Sequence, residues 1–332
     1  MRADEYPHEE ELSSIIHSQD LELTVIVPTR DRPQLFAAAV QSVLASLPEC
    51  AEVLVVDNRS VLPVASWVAD LDPRLRVTTS EAESGAAGAR NRGVAHARGR
   101  RILFLDDDDL MMPGYPTWVL EQQSDNGFAP TLSFRGMTAP SIGAYLGGPG
   151  KAVVDVRPFR RQIAGLGCGF WIDRAAFLTV GEIAEDIRVN EDTEFSIRLL
   201  RAGLRGLRAP APAAMVRQHD GLGGERGHLT AAAKAGERAG FFGLIVSRHA
   251  DWLTQRPDAA KHLLQRQLKT AGAGARRSGC AGGFVHAAGS TTSAVAAVLL
   301  LGRVDFVSAQ APLASTSSRL AQTRSTVASS SP

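Results

Sequence analysis

Cysteine is scarce. The three thiols, Cys50, Cys168 and Cys280, lie far apart and form neither a CxxC pair nor a finger spacing, which argues against a disulfide framework and against a structural zinc site. Long apolar runs are missing as well. The stretch from Ala294 to Leu301 falls far short of the roughly 20 residues needed to cross a bilayer. The N-terminal segment offers neither the basic flank nor the apolar core of a secretory signal, and with reduced thiols the cytoplasm is the expected location. Net charge is almost absent, +1 over 332 residues, so no overall field draws the chain to nucleic acid, which is not an expected partner. Gly85, Gly88 and Gly93 in SGAAGARNRG do not have GxGxxG spacing, and no GxxxxGK loop occurs, which excludes the common dinucleotide and phosphate-loop fingerprints. No internal repeat is visible.

What is there reads as a globular, enzyme-sized chain, with 44% hydrophobic residues available for a core. Charge is uneven: the first 22 residues are acidic, whereas Arg198 to Arg277 carries mostly arginine and lysine. From Leu21, apolar runs alternate with helical patterns: LTVIVP, a helix over Gln34 to Leu47, EVLVVD, a short helix near Val64 to Ala69, RVTTS, a helix over Ala86 to Ala97, and RRILFLD. This βαβα rhythm predicts an α/β fold, a Rossmann-like, mostly parallel sheet flanked by helices. The unalternated VIV, VLVV and ILFL runs suit strands buried on both faces. Ligands then sit beyond the carboxyl ends of the strands, at Pro28 to Arg30, Asp57 to Ser60 and Asp106 to Asp109. Strands are expected at Thr131 to Phe134 and Ala152 to Val156 within an irregular region over 126–169. A helix over EDTEFSIRLLRAGL should end at Gly203. An amphipathic pattern continues from about His228 to Leu268, and the tail from Ala271 is poor in core-forming sequence.

The sharpest chemical signal is RRILFLDDDD, a strand that ends in Asp106, Asp107, Asp108 and Asp109. Adjacent carboxylates repel, and a divalent cation among them relieves the repulsion; oxygen-only ligands suit Mg²⁺ or Mn²⁺. A solvated acidic turn is the alternative, and the position at the end of a central strand favours the metal. Glu191 and Asp192 open a helix, where acids also serve as caps.

The runs VIVPTRDR, EVLVVDNRS, GAAGARNRG, ILFLDDDDLMMPG and NEDTEFSIRLLRAG together resemble the family 2 glycosyltransferases of GT-A fold, from about Leu21 to about His219. The resemblance implies a DxD motif at Asp106 and Asp108, with Asp108 as the direct metal ligand and Asp109 as an extra acid. It implies donor contacts from Pro28, Thr29, Arg30, Asp57, Arg90, Asn91, Asp106 and Asp107. Asp192 matches the general base, with Glu191 beside it and Glu194 as a weaker candidate. His219 matches a late metal or diphosphate ligand, and Cys168 and Trp171 fall where the acceptor pocket is shaped. Arg59 stands where the family more often has glycine, which leaves the base open.

On this reading a nucleotide-diphosphate sugar donates to a hydroxyl of a carbohydrate, lipid-linked or small-molecule acceptor, with inversion. The cation and Arg90 stabilise the leaving diphosphate and Asp192 takes the hydroxyl proton. The expected division is an acidic segment over 1–20, a nucleotide-sugar half over 21–125, an acceptor and catalytic half over 126–220, a helical C-terminal extension over 221–270 and a flexible tail over 271–332. The extension leaves room for peripheral contact with the inner face of the membrane. A sugar nucleotidyltransferase would share the sheet and the paired acids, but PTRDRP is not its glycine- and lysine-rich loop. A degenerate nucleotide-sugar-binding protein is the non-enzymatic alternative.

Overall fold

The computed structural model describes residues 21–68, 72–80, 85–136, 150–152, 159–218 and 235–277. Four parallel strands form its first half: β1 (Leu23–Thr29), β2 (Ala51–Asp57), β3 (Leu75–Thr79) and β4 (Arg101–Leu105). Helix α1 (Pro33–Leu44) connects β1 to β2, and α2 (Gly85–His96) connects β3 to β4. Where a short helix was expected near Val64 to Ala69, a 3₁₀ turn spans Val64–Ser66, and Ala69 lies outside the described residues. Then follow β5 (Leu110–Met111), α3 (Tyr115–Leu120), β6 (Asn126–Phe128), β7 (Thr131–Arg135), β8 (Lys151–Ala152) and β9 (Cys168–Asp173). The chain continues through α4 (Arg174–Val180), α5 (Glu191–Arg201), β10 (Leu207–Arg208) and β11 (Ala214–Gln218). Three helices, α6 (Ala235–Arg248), α7 (Ala250–Thr254) and α8 (Pro257–Arg277), complete the described residues.

The main sheet has the order β3-β2-β1-β4-β9-β6-β10-β8, and β5-β11-β7 form a small second sheet. The order of the first half reverses between β1 and β4, so the loops after β1, β2 and β4 gather at one edge of the sheet. The unalternated apolar runs have a direct cause: both faces are covered. Leu23, Val25, Val27, Val53, Val55, Leu103 and Leu105 pack under α1 and α3 with Phe36, Val40 and Trp118. Their neighbours Ile26, Leu54, Val56, Ile102 and Phe104 pack on the other face with α2, α4 and α5 through Val94, Phe177 and Phe195. Full burial of such a side chain contributes about 1.5–3 kcal/mol.

Strand β9 lies antiparallel between β4 and β6, a step no local pattern announces. Its register to β4 slips by one residue, Leu103 facing Trp171 but Leu105 facing Cys168. Gly169 lies in this bulge with φ +86, and the extra residue re-aims the start of β9. Helix α5 ends as expected: Leu204 N–H donates to Leu199 O and Gly203 N–H to Leu200 O, with Gly203 at φ +77, the double bond of a Schellman stop. Of the amphipathic stretch expected over 228–268, residues 228–234 lie outside the described residues, and the rest is divided among α6, α7 and α8. Pro257, which lacks an N–H, opens the last of these, and α8 runs on to Arg277. A third core joins these helices to α5 through Ile197, Phe242, Ile245, Leu253 and Leu263. Among the described residues no helix is long and apolar enough to cross a membrane.

Candidate active site

The aspartate turn after β4 is the centre of the site. One oxygen each from Asp106, Asp108 and Asp109 can be chosen so that all three lie within 4.8 Å of one another. Oxygen-only donors at this spacing fit a hard divalent cation. Asp108 is buried, Asp109 is buried, and Asp106 is 37% exposed at its side chain. Burial and the neighbouring Asp106 and Asp108 charges push Asp109 up to about 8. Such a carboxyl needs a positive partner before it ionises at neutral pH.

Asp107 is turned elsewhere. Its Oδ2 accepts the Thr29 hydroxyl at 2.7 Å, and its Oδ1 accepts Arg32 Nη1 at 3.2 Å. Burial raises its carboxyl to about 6 against the opposing pull of Arg32. Expected to meet the donor with Asp106, it ties the loop after β1 to the turn after β4. Arg32 also reaches Asp108 Oδ2 at 3.3 Å. The sequence reading passed over Arg32, although it is the second arginine in a loop already marked as a ligand edge.

Arg217 on β11 was missed too. Its backbone N–H donates to Asp109 Oδ1 and its Nε to the Asp108 carbonyl, both at 3.0 Å, while the guanidinium lies 4.5 Å over the Phe134 ring. It fixes the aspartate turn from the small sheet. Two residues on, His219 lies outside the described residues.

Arg90 joins the two halves. Buried on α2, it donates to Asp106 Oδ1 at 2.6 Å and to Glu191 Oε1 at 3.2 Å. Glu191 and Asp192 form the first turn of α5, after Asn190 in the left-handed region at φ +70. Both carboxyls are raised, first by burial, with Arg90 opposing for Glu191 and the Thr193 N–H opposing for Asp192. Asp192 Oδ1 accepts that N–H at 2.6 Å; among the described residues the hydrogen bonds of this carboxylate all fall on Oδ1, which leaves Oδ2 for a proton. Glu194, the weaker candidate for base, is buried and tied to Arg198 Nε at 3.0 Å and His249 Nε2 at 3.2 Å. It anchors α5 to the C-terminal helices.

The loops around the nucleotide edge are laced together. Asp57 accepts the Ser60 N–H at 2.8 Å and the Val64 N–H at 3.4 Å, so its carboxylate already shapes its own loop. Asp31 Oδ1 accepts the Val61 N–H at 2.7 Å. Pro28 and Arg30 are half-buried at this edge, Arg30 lying 3.7 Å from Asp31. Asp31 and Arg59 have φ +55 and +63. Arg59 therefore keeps the backbone shape that glycine adopts freely, at a strain of about 1 kcal/mol or more.

Three expected site residues lie differently. Asn91 is engaged within the chain: its amide donates to Ile183 O at 2.9 Å and Glu185 Oε1 at 3.1 Å and accepts the Ile183 N–H at 2.8 Å. It clamps the segment before α5. Trp171 is fully buried beneath the Arg101 guanidinium, 4.5 Å from the ring centroid, and packs in the first core. Cys168, on the far side of the bulge, donates to Asp109 Oδ2 at 3.8 Å, and its thiol is pushed up by burial and by Asp106 and Asp109. It lines the carboxylate cluster. Next to it Gly167 accepts the Asp106 N–H at 2.9 Å, and a Cβ there would fall 2.0 Å from Asp106 Oδ2.

The comparisons agree with this geometry. The sequence pattern described as "Glycosyl transferase family 2" matches residues 24–136. The succinoglycan biosynthesis protein ExoO of Rhizobium meliloti (strain 1021) is 37% identical over 107 residues, 32% of this chain and 31% of that protein. The UDP-Glc:alpha-D-GlcNAc-diphosphoundecaprenol beta-1,3-glucosyltransferase WfgD of Escherichia coli is 36% identical over 92 residues, 27% of this chain and 36% of that protein. The matched part thus spans about a third of the length of these relatives. In fold, the chain is similar to S. aureus TarS 1–349 in complex with UDP-GlcNAc, at a TM-score of 0.58 and 17% identity over 75% of this chain and 73% of that one. On these matches residues 24–136 carry the glycosyl transferase family 2 pattern, and the chain has the GT-A fold.

Proposed function

We propose that the chain transfers a sugar from a nucleoside-diphosphate donor to a hydroxyl of a carbohydrate acceptor, with inversion at the anomeric carbon. The observation that carries this reading is the Arg90 bridge, 2.6 Å to Asp106 and 3.2 Å to Glu191, which sets the aspartate turn against the acid pair of α5. Asp106, Asp108 and Asp109 would hold Mg²⁺ or Mn²⁺, which when bound supplies positive charge to the leaving diphosphate. The loops after β1 and β2 flank the nucleotide, with Thr29 and Asp57 fixed in place by their own hydrogen bonds. Asp192 Oδ2 accepts the proton of the acceptor hydroxyl as its oxygen bonds to the anomeric carbon and the bond to the diphosphate breaks. The raised carboxyl of Asp192 suits a base.

The E. coli relative is named for a diphosphoundecaprenol acceptor, and that name supports a lipid-linked carbohydrate as the acceptor here, met at the inner face of the membrane by peripheral contact. The test is Asp192→Asn. Donor binding should persist while transfer falls by about a hundredfold or more. Turnover equal to that of the unaltered chain removes Asp192 from the mechanism.

A further inference from the structure

The hydrogen bonds described for the Asp192 carboxylate come from Thr193 of its own helix, so the place of the base is set by where α5 begins. Two residues on, in the same first turn, Glu194 is buried at 1% exposure and ties that turn to the rest of the chain. Its Oε1 lies 3.2 Å from His249 Nε2, and Arg198 Nε donates to its Oε2 at 3.0 Å. Burial alone would raise the Glu194 carboxyl; the His249 hydrogen bond and Arg198 overcome it and hold the group below its ordinary value. An ionised carboxylate only accepts, so Nε2 is the donor. His249 is itself buried and forms the elbow between α6 and α7: its N–H donates to Ile245 O at 3.1 Å and its carbonyl accepts the Leu253 N–H at 2.9 Å. These helices pack on α5 through Phe242, Ile245, Leu253 and Ile197.

The bonds form a continuous path. Arg198 runs on from Glu194 to Val180 O at 2.9 Å, Gly181 O at 3.1 Å and Glu182 O at 2.6 Å, next to the Ile183 that Asn91 clamps. Asn91 follows Arg90, which holds Asp106 and Glu191. The first turn of α5 is thus held from α2 by Arg90 and from the C-terminal helices by His249. The pair Arg201–Asp251 also joins α5 to α7, at 2.7 Å, but with Asp251 69% exposed it fixes little. We propose that His249, acting through Glu194, is a positioning residue for Asp192 and gives the C-terminal helices a part in the reaction. The inference rests on the transferase reading. It touches no reacting atom: the His249 bond keeps the first turn of α5, and with it the base, at a fixed distance from the aspartate turn. A displacement of about 1 Å at such a group costs on the order of a hundredfold in rate, whereas the donor contacts lie on other elements.

The experiment follows the slow Mn²⁺-dependent hydrolysis of UDP-glucose and UDP-GlcNAc by the full chain, with water in the place of the acceptor hydroxyl, well below the melting temperature of each variant. His249→Leu should lower kcat at least about tenfold while donor KM and Mn²⁺-dependent UDP binding stay within about twofold. His249→Gln, whose amide can still donate to Glu194, should recover most of the rate, and the exposed control Arg201→Gln should match the unaltered chain. In an Asp192→Asn background His249→Leu should cause no further loss, because a residue that acts through the base has nothing left to act on. Glu194→Asp keeps the charge, draws the carboxylate back by one methylene and should show the same split; it decides the matter if His249→Leu does not fold. Unaltered kcat in the folded variants overturns the assignment. So does a loss of equal size with and without Asp192, or a raised donor KM at constant kcat, each of which would make the bond a general structural contact. If the unaltered chain neither binds UDP with Mn²⁺ nor hydrolyses either donor, the transferase reading itself fails, and the positioning role falls with it.

Discussion

Gly167→Ala tests the site where it is tightest. Gly167 is not among the glycines of positive φ, so alanine is admissible to the backbone and its effect is steric alone. The new Cβ would stand 2.0 Å from Asp106 Oδ2, 2.1 Å from Cγ and 2.2 Å from Oδ1. Ordinary contact is about 3.3 Å, so the carboxyl must move by more than about 1 Å. Opening the two strands is resisted by the Asp106 N–H bond to Gly167 O at 2.9 Å. The side chain, 37% exposed, swings toward solvent instead and gives up the 2.6 Å bond to Arg90. Stability falls only by about 1 kcal/mol, because the freed carboxylate regains water; the melting temperature drops by a few degrees. Function suffers more: a displacement of about 1 Å at a ligand and positioning group lowers transfer by about a hundredfold. Mn²⁺-dependent nucleotide binding should weaken in parallel, as read by calorimetry. Gly165→Ala is the control, since its Cβ meets nothing nearer than Cys168 Sγ at 3.9 Å. Unaltered Mn²⁺ and nucleotide binding by Gly167→Ala would refute the assignment of Asp106 to the site.

Further outcomes follow from the same geometry. Asp107 and Asp109 are raised to about 6 and 8, and Glu191 and Asp192 are raised as well. Carboxyls raised in the folded chain keep protons that the unfolded chain releases, so their contribution is present at low pH and lost as pH rises through the folded values. With chelator, the melting temperature should fall between about pH 5 and 8.5, and saturating Mn²⁺ should remove the fall by favouring the ionised carboxylates. A metal-free melting temperature that rises across this window contradicts those shifts. Trp171→Ala should cost about 3–5 kcal/mol in urea unfolding yet leave the acceptor KM of the folded fraction unchanged; an altered KM at full stability would return Trp171 to the acceptor pocket.

Much of the fold was legible because its cause is local. Unalternated runs such as VLVV state that a strand is covered twice, and β1, β2 and β4 obey. The aspartates could be placed at a ligand edge because the parallel order puts the ends of such strands together. What stayed hidden depends on contacts distant in sequence. Four consecutive aspartates look alike in one dimension, and only the turn sends Asp107 to Thr29 and Arg32 while the other three converge. Asn91 reads as a polar residue of a nucleotide motif until Ile183, 92 residues on, claims its amide. Cys168 and Trp171 are three residues apart, and the bulge between them separates a site lining from a core. Arg217 and Gly167 gave no local sign beyond lying near residues already singled out.

The central claim is a cation-dependent donor site on the aspartate turn. Its most direct measurement is thermal stabilisation of the purified chain by a panel of UDP-, GDP- and dTDP-sugars with Mn²⁺, with and without chelator, beside Asp108→Ala. Stabilisation by donors of one base, abolished both by chelator and by Asp108→Ala, is the expected result. No stabilisation by any donor, or stabilisation that survives both treatments, would contradict the account.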